Sequence, residues 1–429
     1  MNVTGIKICS NCVMDTTDSK IYFDDDGVCD HCNTFFSDIR PKWNPDGIDD
    51  SLLLKLGNRI KKAGSTSDFD CIMGMSGGVD SSYLLYLAVK KMGLRPLVFH
   101  VDAGWNSQEA VSNIERMVDG LDLDLYTEVI DWEEMKDLQL SFFKSGVSHI
   151  DTPQDHSFFA TMYKFASKHN VKNILTGGNY STECIRNPLE WMYYQSDARQ
   201  LKDIHKQFGS KPLKNYPVTN ILWHKFYLPY FKGIKVTRPL DYMKYDKEEA
   251  TKFLEDNFGY QRYPQKHFES RFTRFYESYW LYEKFGYDTR KVQYSSLIVT
   301  GQMTRDEALE RLKNPPYDPE TIDDDFSYIA NKLGMASQLD ALLARWQAEF
   351  SHHQSPQGNK MPLTDAYVML GLADSASDQD IKRAYRKLMN EHHPDKLVAK
   401  GLPEEMMALA KTKAQDIQAA YDLISKHDK

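Results

Sequence analysis

The stretch CIMGMSGGVDSSYLL, residues 71–85, decides the fold. An apolar run ends in Ser76, Gly77 and Gly78; Asp80, Ser81 and Ser82 follow, and helix-compatible residues continue to Lys91. Glycine is the residue that lets backbone bend sharply or come close to a ligand. A strand that ends in such a turn and feeds a helix directs free N–H groups and the positive end of the helix dipole at one point. The hydroxyls and the carboxylate around that point predict a phosphate-binding turn.

Working outward, RPLVFHVDAG, DLYTEVIDW and VKNILTGGN are further strand-like runs separated by helix-length segments. That alternation predicts a parallel α/β sheet. Ligands of such sheets bind outside the carboxyl ends of the strands. His100 and Asp102 end the second run, and Gly177, Gly178 and Asn179 end the last, so all five are expected at the nucleotide. Asp102 would orient a ribose or a metal and Trp105 would cover a base, unless this is a polar strand end beside a packed tryptophan. Asp155 and His156 fit helix capping or packing as well as catalysis.

With 429 residues the chain should hold two or three domains, and 41% hydrophobic residues are ample for their cores. A net charge of −8 argues against broad nucleic-acid binding. There is no signal-like N-terminus and no apolar run near the ~20 residues of a membrane span, and six cysteines are too few for a secreted disulfide framework. A cytoplasmic protein is expected. Residues 199–238 reverse the overall charge, with nine Lys or Arg against Asp203 and with Trp223, Tyr227, Tyr230 and Phe231 interleaved. This fits a diphosphate-bearing substrate, a partner subunit or a solvated basic face. Residues 181–330 read as mainly helical, with a capping box at Thr304 and Glu307.

Cys9-x-x-Cys12 and Cys29-x-x-Cys32 have the spacing of a four-cysteine zinc site, with IYFDDDGVC as a small hairpin carrying the second knuckle. Four sulfur ligands make such a Zn2+ site closed and structural. His31 is expected to stand beside it, Cys71 to be buried in the first strand and Cys184 to pack.

SGGVDSS resembles the PP-loop of N-type ATP pyrophosphatases. More narrowly, residues 1–334 resemble the N-acetyl sugar amidotransferases of surface polysaccharide biosynthesis. CSNCVMDTTDSKIYFDDDGVCDHC, MGMSGGVDSSYLLYLA, LVFHVDAGWNS, ILTGGNYSTE, RPLDYMKY, KHFESRFTRFYESYW and SSLIVTGQMTRDEALERL carry that resemblance in order. It implies that the acetamido oxygen of a nucleotide-linked sugar, in lipopolysaccharide O-antigen assembly, attacks the α-phosphate of ATP. Ammonia then displaces AMP to leave an acetamidino group. Ser76, Gly77, Gly78, Ser81 and Ser82 would hold pyrophosphate, and Asp80 would hold Mg2+ or order the loop. Ser76, Asp80, His267 and Glu269 become the expected catalytic residues, and Lys266 and Arg271 the substrate-binding ones. KHFESR also fits a charged helix face. No glutaminase signature is present, so the resemblance implies a separate glutaminase and ammonia-channel pair. A tRNA-thiolating PP-loop enzyme is the alternative, with only Cys71 and Cys184 left to carry sulfur.

At the C-terminus, IKRAYRKLMNEHHPDKL puts Ile381, Tyr385 and Leu388 on one helix face and Lys382, Arg383, Arg386 and Lys387 on the other. His393, Pro394 and Asp395 follow, then a helix through AQDIQAAYDLI. This resembles a J-domain, most closely that of the membrane-anchored DnaJ-like protein A family, and LDALLARWQAEFSHHQ resembles the segment before it. The family's HPD triplet stimulates Hsp70, which would be a partner; a co-chaperone or interaction protein with an incidental ATP site is the other alternative. The expected order is a zinc-ribbon-like module (1–45), a PP-loop domain of the adenine nucleotide alpha hydrolase-like fold (60–200), a helical substrate domain (201–334), a helix and linker (335–361) and an all-α J-domain (362–429).

Overall fold

The computed structural model describes residues 6–43, 50–335, 366–367, 369–372, 376–392, 417–418, 420–421 and 423–425. The chain divides into two compact units, Met1–Gln354 and Ser355–Lys429.

The first unit is built on five parallel strands: β1 Cys71–Gly74, β2 Pro96–Asp102, β3 Leu125–Val129, β4 Asn173–Leu175 and β5 Lys235–Thr237. Their order in the sheet is β3-β2-β1-β4-β5. Alternation along the strands sends Ile72, Phe99, Val101 and Ile174 into one apolar core and Cys71, Met73, Val98 and Leu175 into the other. Both faces are covered, as parallel sheets require. Helices α1 Asp50–Ala63, α2 Val79–Tyr86 and α3 Gln108–Leu121 pack on the second face. Helices α4 Trp132–Ser145 and α5 Thr152–Lys168 pack on the first. The chain fills one side of β1 with β2 and β3, then returns to its other side with β4. This reversal opens a crevice between the carboxyl ends of β1 and β4, the place where such sheets bind ligands.

The sheet extends further along the chain than the sequence indicates. β5 lies within the stretch read as helical, because three residues, Lys235–Thr237, between Gly233 and Pro239 carry too little strand pattern to stand out. After it the chain is helical as expected, through Lys247–Phe258, Arg290–Val299, Arg305–Arg311 and Pro319–Leu333. Between these, Arg271–Phe275 continues through a π-helical segment, Tyr276–Trp280, into Leu281–Phe285. Thr304 caps its helix, its Oγ1 accepting from Glu307 N at 3.2 Å. The N-terminal knuckles form the expected hairpin, with Phe23 bridged to Cys29 and Gly27 turning at φ +77°.

In the second unit, helix Asp378–His392 buries Ile381 against Ala366, Leu370, Ile417, Ala420 and Ile424. Tyr385 stacks on Tyr421 with ring centroids 4.2 Å apart, while Lys382, Arg383, Arg386 and Lys387 are exposed. His393, Pro394 and Asp395 lie outside the described residues. Among the described residues no helix is long and apolar enough to cross a membrane.

Candidate active site

The turn after β1 is held open by its own hydroxyls. Ser76 Oγ accepts from Gly78 N at 3.2 Å, and Ser81 Oγ donates to Gly78 O at 3.0 Å. Gly77 takes φ +84°, and a Cβ there would meet Ala110 O at 2.7 Å, so only glycine fits without displacing α3. Gly78 is the N-cap of α2, and no side chain caps that end. The first-turn N–H groups of α2 are therefore left for a ligand. The turn after β4 closes on the same place: a Cβ on Gly177 would lie 2.9 Å from Asp80 C and 3.0 Å from Ser81 N.

These turns border a cavity of about 840 Å³ walled by Ser76, Gly78, Asp80, Ser81, Gly177 and Gly178 on the sheet side. Lys247, Lys266, His267 and Glu269 also line it, as do the apolar Phe159, Met162 and Leu175. Asp80 Oδ1 accepts from Tyr245 OH at 2.5 Å, and its Oδ2 lies 3.5 Å from Lys266 Nζ. Burial would push the Asp80 carboxyl up, but Lys266, Lys247 and the Tyr245 hydroxyl outweigh it and hold it below the usual carboxylate range. Lys266 is also paired with Glu183, and these carboxylates raise its pKa against its burial. Lys247 shifts the other way, lowered by burial and by Lys266. Burial raises the Glu269 carboxyl, whose oxygen lies against Gly78.

His267 stands out in backbone terms. Its φ is +67°, a positive value shared among the described non-glycine residues only with Asp122 and Asn170; Asp, Asn and His are the side-chain types enriched in that region. Its Nδ1 lies 2.9 Å from Oε1 of buried Glu277. Burial alone would lower its pKa; Glu277 more than offsets this and raises it to about 9.

Several expected contacts stand behind the wall instead. His100 Nδ1 donates to Met75 O at 2.7 Å while Nε2 accepts from Asn106 Nδ2 at 2.9 Å, which uses both ring nitrogens of a neutral imidazole. Asp102 accepts from Gly104 N at 2.7 Å and shapes the turn. Asn179 caps the short helix Tyr180–Glu183, accepting from Thr182 N at 2.9 Å, and donates to Gly177 O at 3.0 Å. Ser82 is fully buried in α2 and its Oγ makes no hydrogen bond. Arg271 is taken up by Asp324 and Asp325 and stacks 4.1 Å from the Tyr328 ring. Trp105 is fully buried against Trp132 and Phe272 and is not among the residues lining this cavity. His156 is buried and packs, with Nδ1 2.7 Å from Gln195 O and Nε2 accepting from Thr219 N at 3.0 Å. Conversely, Glu183, Tyr245 and Glu277 reach the site or its charges from within ILTGGNYSTE, RPLDYMKY and KHFESRFTRFYESYW without being expected there, and Lys247 does so from outside those stretches.

Cys9, Cys12, Cys29 and Cys32 are buried, and their sulfurs all lie within 4.8 Å of one another. Backbone N–H groups of Asn11, Cys12 and Cys29 point at Cys9 Sγ at 3.2–3.4 Å, as zinc knuckles orient toward thiolates. His31 stands aside, 2.8 Å from Asp18. Arg305 grips the module by donating to Cys9 O and Cys12 O, and Val13 N donates to Ser295 Oγ at 3.2 Å. The donor set fits zinc.

Residues 70–178 match the phosphoadenosine phosphosulfate reductase domain, 269–363 the LPS biosynthesis protein WbpG-like C-terminal domain, and 365–429 the DnaJ domain. The co-chaperone protein DjlA of Shewanella oneidensis is 66% identical over 97 residues, covering 22% of this chain and 37% of the relative. The DjlA of Vibrio cholerae is 61% identical over 82 residues, 19% of this chain and 26% of the relative. The chain thus spans little more than a third of these relatives at most. Among solved structures, the NH3-dependent NAD synthetase of Campylobacter jejuni aligns over 68% of this chain and 97% of its own, at 13% identity and a TM-score of 0.26. The NMN synthetase of Francisella tularensis aligns over 51% and 98%, at 15% identity and a TM-score of 0.25. From the parallel sheet with its phosphate turn and from the three family matches, the chain carries a PP-loop domain of the phosphoadenosine phosphosulfate reductase type, a WbpG-like C-terminal domain and a DnaJ domain.

Proposed function

We propose that this protein is an AMP-forming, ATP-dependent amidotransferase that converts the acetamido group of a nucleotide-linked N-acetyl sugar to acetamidino in surface polysaccharide assembly. The observation that carries the reading is the uncapped N-terminus of α2 opening on a cavity shared by Asp80, Lys247 and Lys266. An amide oxygen is a poor leaving group until it bears a phosphate. Attack of that oxygen on the α-phosphorus breaks the bond to the bridging oxygen and releases pyrophosphate. Ammonia then adds to the activated carbon, AMP departs with the amide oxygen, and the product keeps its charge as an amidinium.

The α2 N–H groups and the Ser76 and Ser81 hydroxyls would hold the departing pyrophosphate. Lys247 and Lys266 would meet charge gathering on the α-phosphate. Asp80, kept ionised by its neighbours, would hold Mg2+, which neutralises phosphate charge when bound. His267, protonated at neutral pH through Glu277, would offer its other N–H to departing AMP. The four cysteines would hold a structural zinc, about one per chain on metal analysis. For thiolation the remaining thiols are unsuited: Cys71 and Cys184 are buried, and burial pushes both up, Cys184 to about 11. The DnaJ domain supports Hsp70 as a partner of the second unit, with His393, Pro394 and Asp395 as its stimulating residues.

The test supplies the full chain with MgATP, ammonium and a panel of UDP- and CMP-linked N-acetyl sugars. AMP and pyrophosphate should form in step with a sugar lighter by about one mass unit, as oxygen is replaced by NH. Release of ADP, or sulfur appearing in tRNA without a sugar product, overturns the reading. Stimulation of a bacterial Hsp70 ATPase by the chain, abolished by His393→Gln, tests the second unit separately.

A further inference from the structure

The π-helical segment Trp223–Phe231 presents an unusual surface on the first unit. Tyr230 and Phe231, at 78% and 79% exposure, are the most exposed large apolar side chains among the described residues. Leu222, Phe226, Tyr227 and Val236 are exposed beside them. The rings form two rows: Trp223, Tyr227 and Phe231 stack in succession, and Phe226 stacks on Tyr230. The segment is anchored from below. Leu228 and Ile234 are buried in the core, His224 lies flat on Tyr163 at 5.5 Å, and Lys172 Nζ donates to Lys232 O at 2.8 Å. The rows therefore belong to a fixed platform.

The charge along this stretch of chain has one sign. Lys225, Lys232 and Lys235 border the rings, and no carboxylate occurs from residue 204 to 240 in a chain holding 61 acidic residues. A protein–protein interface core is depleted in lysine. Aromatic rings with lysines around them match a bilayer surface instead, where rings settle at the headgroup–acyl boundary and ammonium groups reach lipid phosphates. We propose that the exposed face of Trp223–Phe231, with the adjoining edge of β5, docks the protein on an anionic phospholipid bilayer. The rings enter the interface and the three lysines meet the headgroups. This docking is independent of the reaction proposed above.

Co-sedimentation of the full chain with vesicles tests it, using phosphatidylcholine alone and phosphatidylcholine mixed with phosphatidylglycerol. Binding should occur on the anionic vesicles only and should weaken as salt rises. Tyr230→Ser with Phe231→Ser should weaken it by about tenfold or more, with thermal unfolding unchanged. Lys225→Gln, Lys232→Gln and Lys235→Gln together should abolish the preference for anionic vesicles, a second readout if the serine variant does not fold. A wild-type chain that stays in solution with anionic vesicles at low salt overturns the proposal. So does undiminished binding by both variants, or self-association lost in the serine variant without vesicle binding, which would assign the rings to a protein contact.

Discussion

Gly77-Gly78 after β1 and Gly177-Gly178 after β4 are near-identical in sequence and end on one rim, yet the structure uses them differently. The first pair leads into a helix with no side-chain cap. The second leads into a short helix capped by Asn179, whose amide also ties down Gly177 O. One turn leaves its N–H groups open, and the other satisfies its own and presses against the first. A glycine pair thus marks close approach of backbone, and the cap that follows separates a binding turn from a supporting one.

The sharpest test of that distinction lies within the second pair. Gly177→Ala places a Cβ against the backbone of Asp80 and Ser81, neither of which can rotate away. AMP formation should fall by about a hundredfold or more, since a displacement near 1 Å at a reacting centre has that effect. Gly178→Ala meets nothing nearer than 3.4 Å and should stay within about twofold of wild type. Equal losses in both variants, measured as pyrophosphate release, would break the comparison.

Next in size is Lys266→Met. It removes the cation between Asp80 and Glu183 and should lower turnover about a hundredfold. The carboxyl of Asp80 should rise at the same time, so the acidic limb of the rate profile should move to higher pH. A variant with full turnover would show that the charges around the open turn are structural only.

Glu277→Gln should act through His267. With its pKa raised to about 9, His267 is charged at neutral pH, so activity that needs the imidazolium is retained at pH 7 and lost as pH rises through about 9. The stability this pair contributes is likewise fully present below the ordinary histidine pKa and is lost as pH rises through the folded value. The variant should draw the alkaline limb back toward the ordinary histidine range, reducing the rate at pH 8 by roughly tenfold. An unmoved limb would remove His267 from the chemistry.

The smallest effect is expected for Asn179→Ala. Loss of the cap should cost ~1 kcal/mol of stability, with a modest fall in activity through the freed Gly177 carbonyl. Thermal unfolding and ATP-dependent turnover measured together would separate the two.

What was legible in the sequence was local. Strand, glycine turn and helix start lie within fifteen residues of chain, and both cysteine knuckles are contiguous motifs, so each could be read as a unit. Less legible was the direction of a side chain. His100 and Asp102 do sit at a strand end, but their hydrogen bonds turn them to Met75, Asn106 and Gly104. Arg271 shares a motif with Lys266, yet helical geometry carries it around to Asp324 and Asp325. The residues missed altogether, Glu183, Tyr245, Lys247 and Glu277, come from separate elements and become neighbours of the site only when the chain is folded.

The grip of Arg305 on the knuckle backbone reaches beyond the N-terminal module. Helices Arg290–Val299 and Arg305–Arg311 supply Gln293, Tyr294, Leu297, Glu307 and Arg311 to the cavity. Gln302 and Thr300 also donate to Ser181 O, each at 2.8 Å. On the function proposed above, a protein made under metal starvation would therefore keep its phosphate turn while losing support for these lining residues. Its failure would then register, in the proposed reaction, as a loss of sugar affinity at unchanged nucleotide affinity.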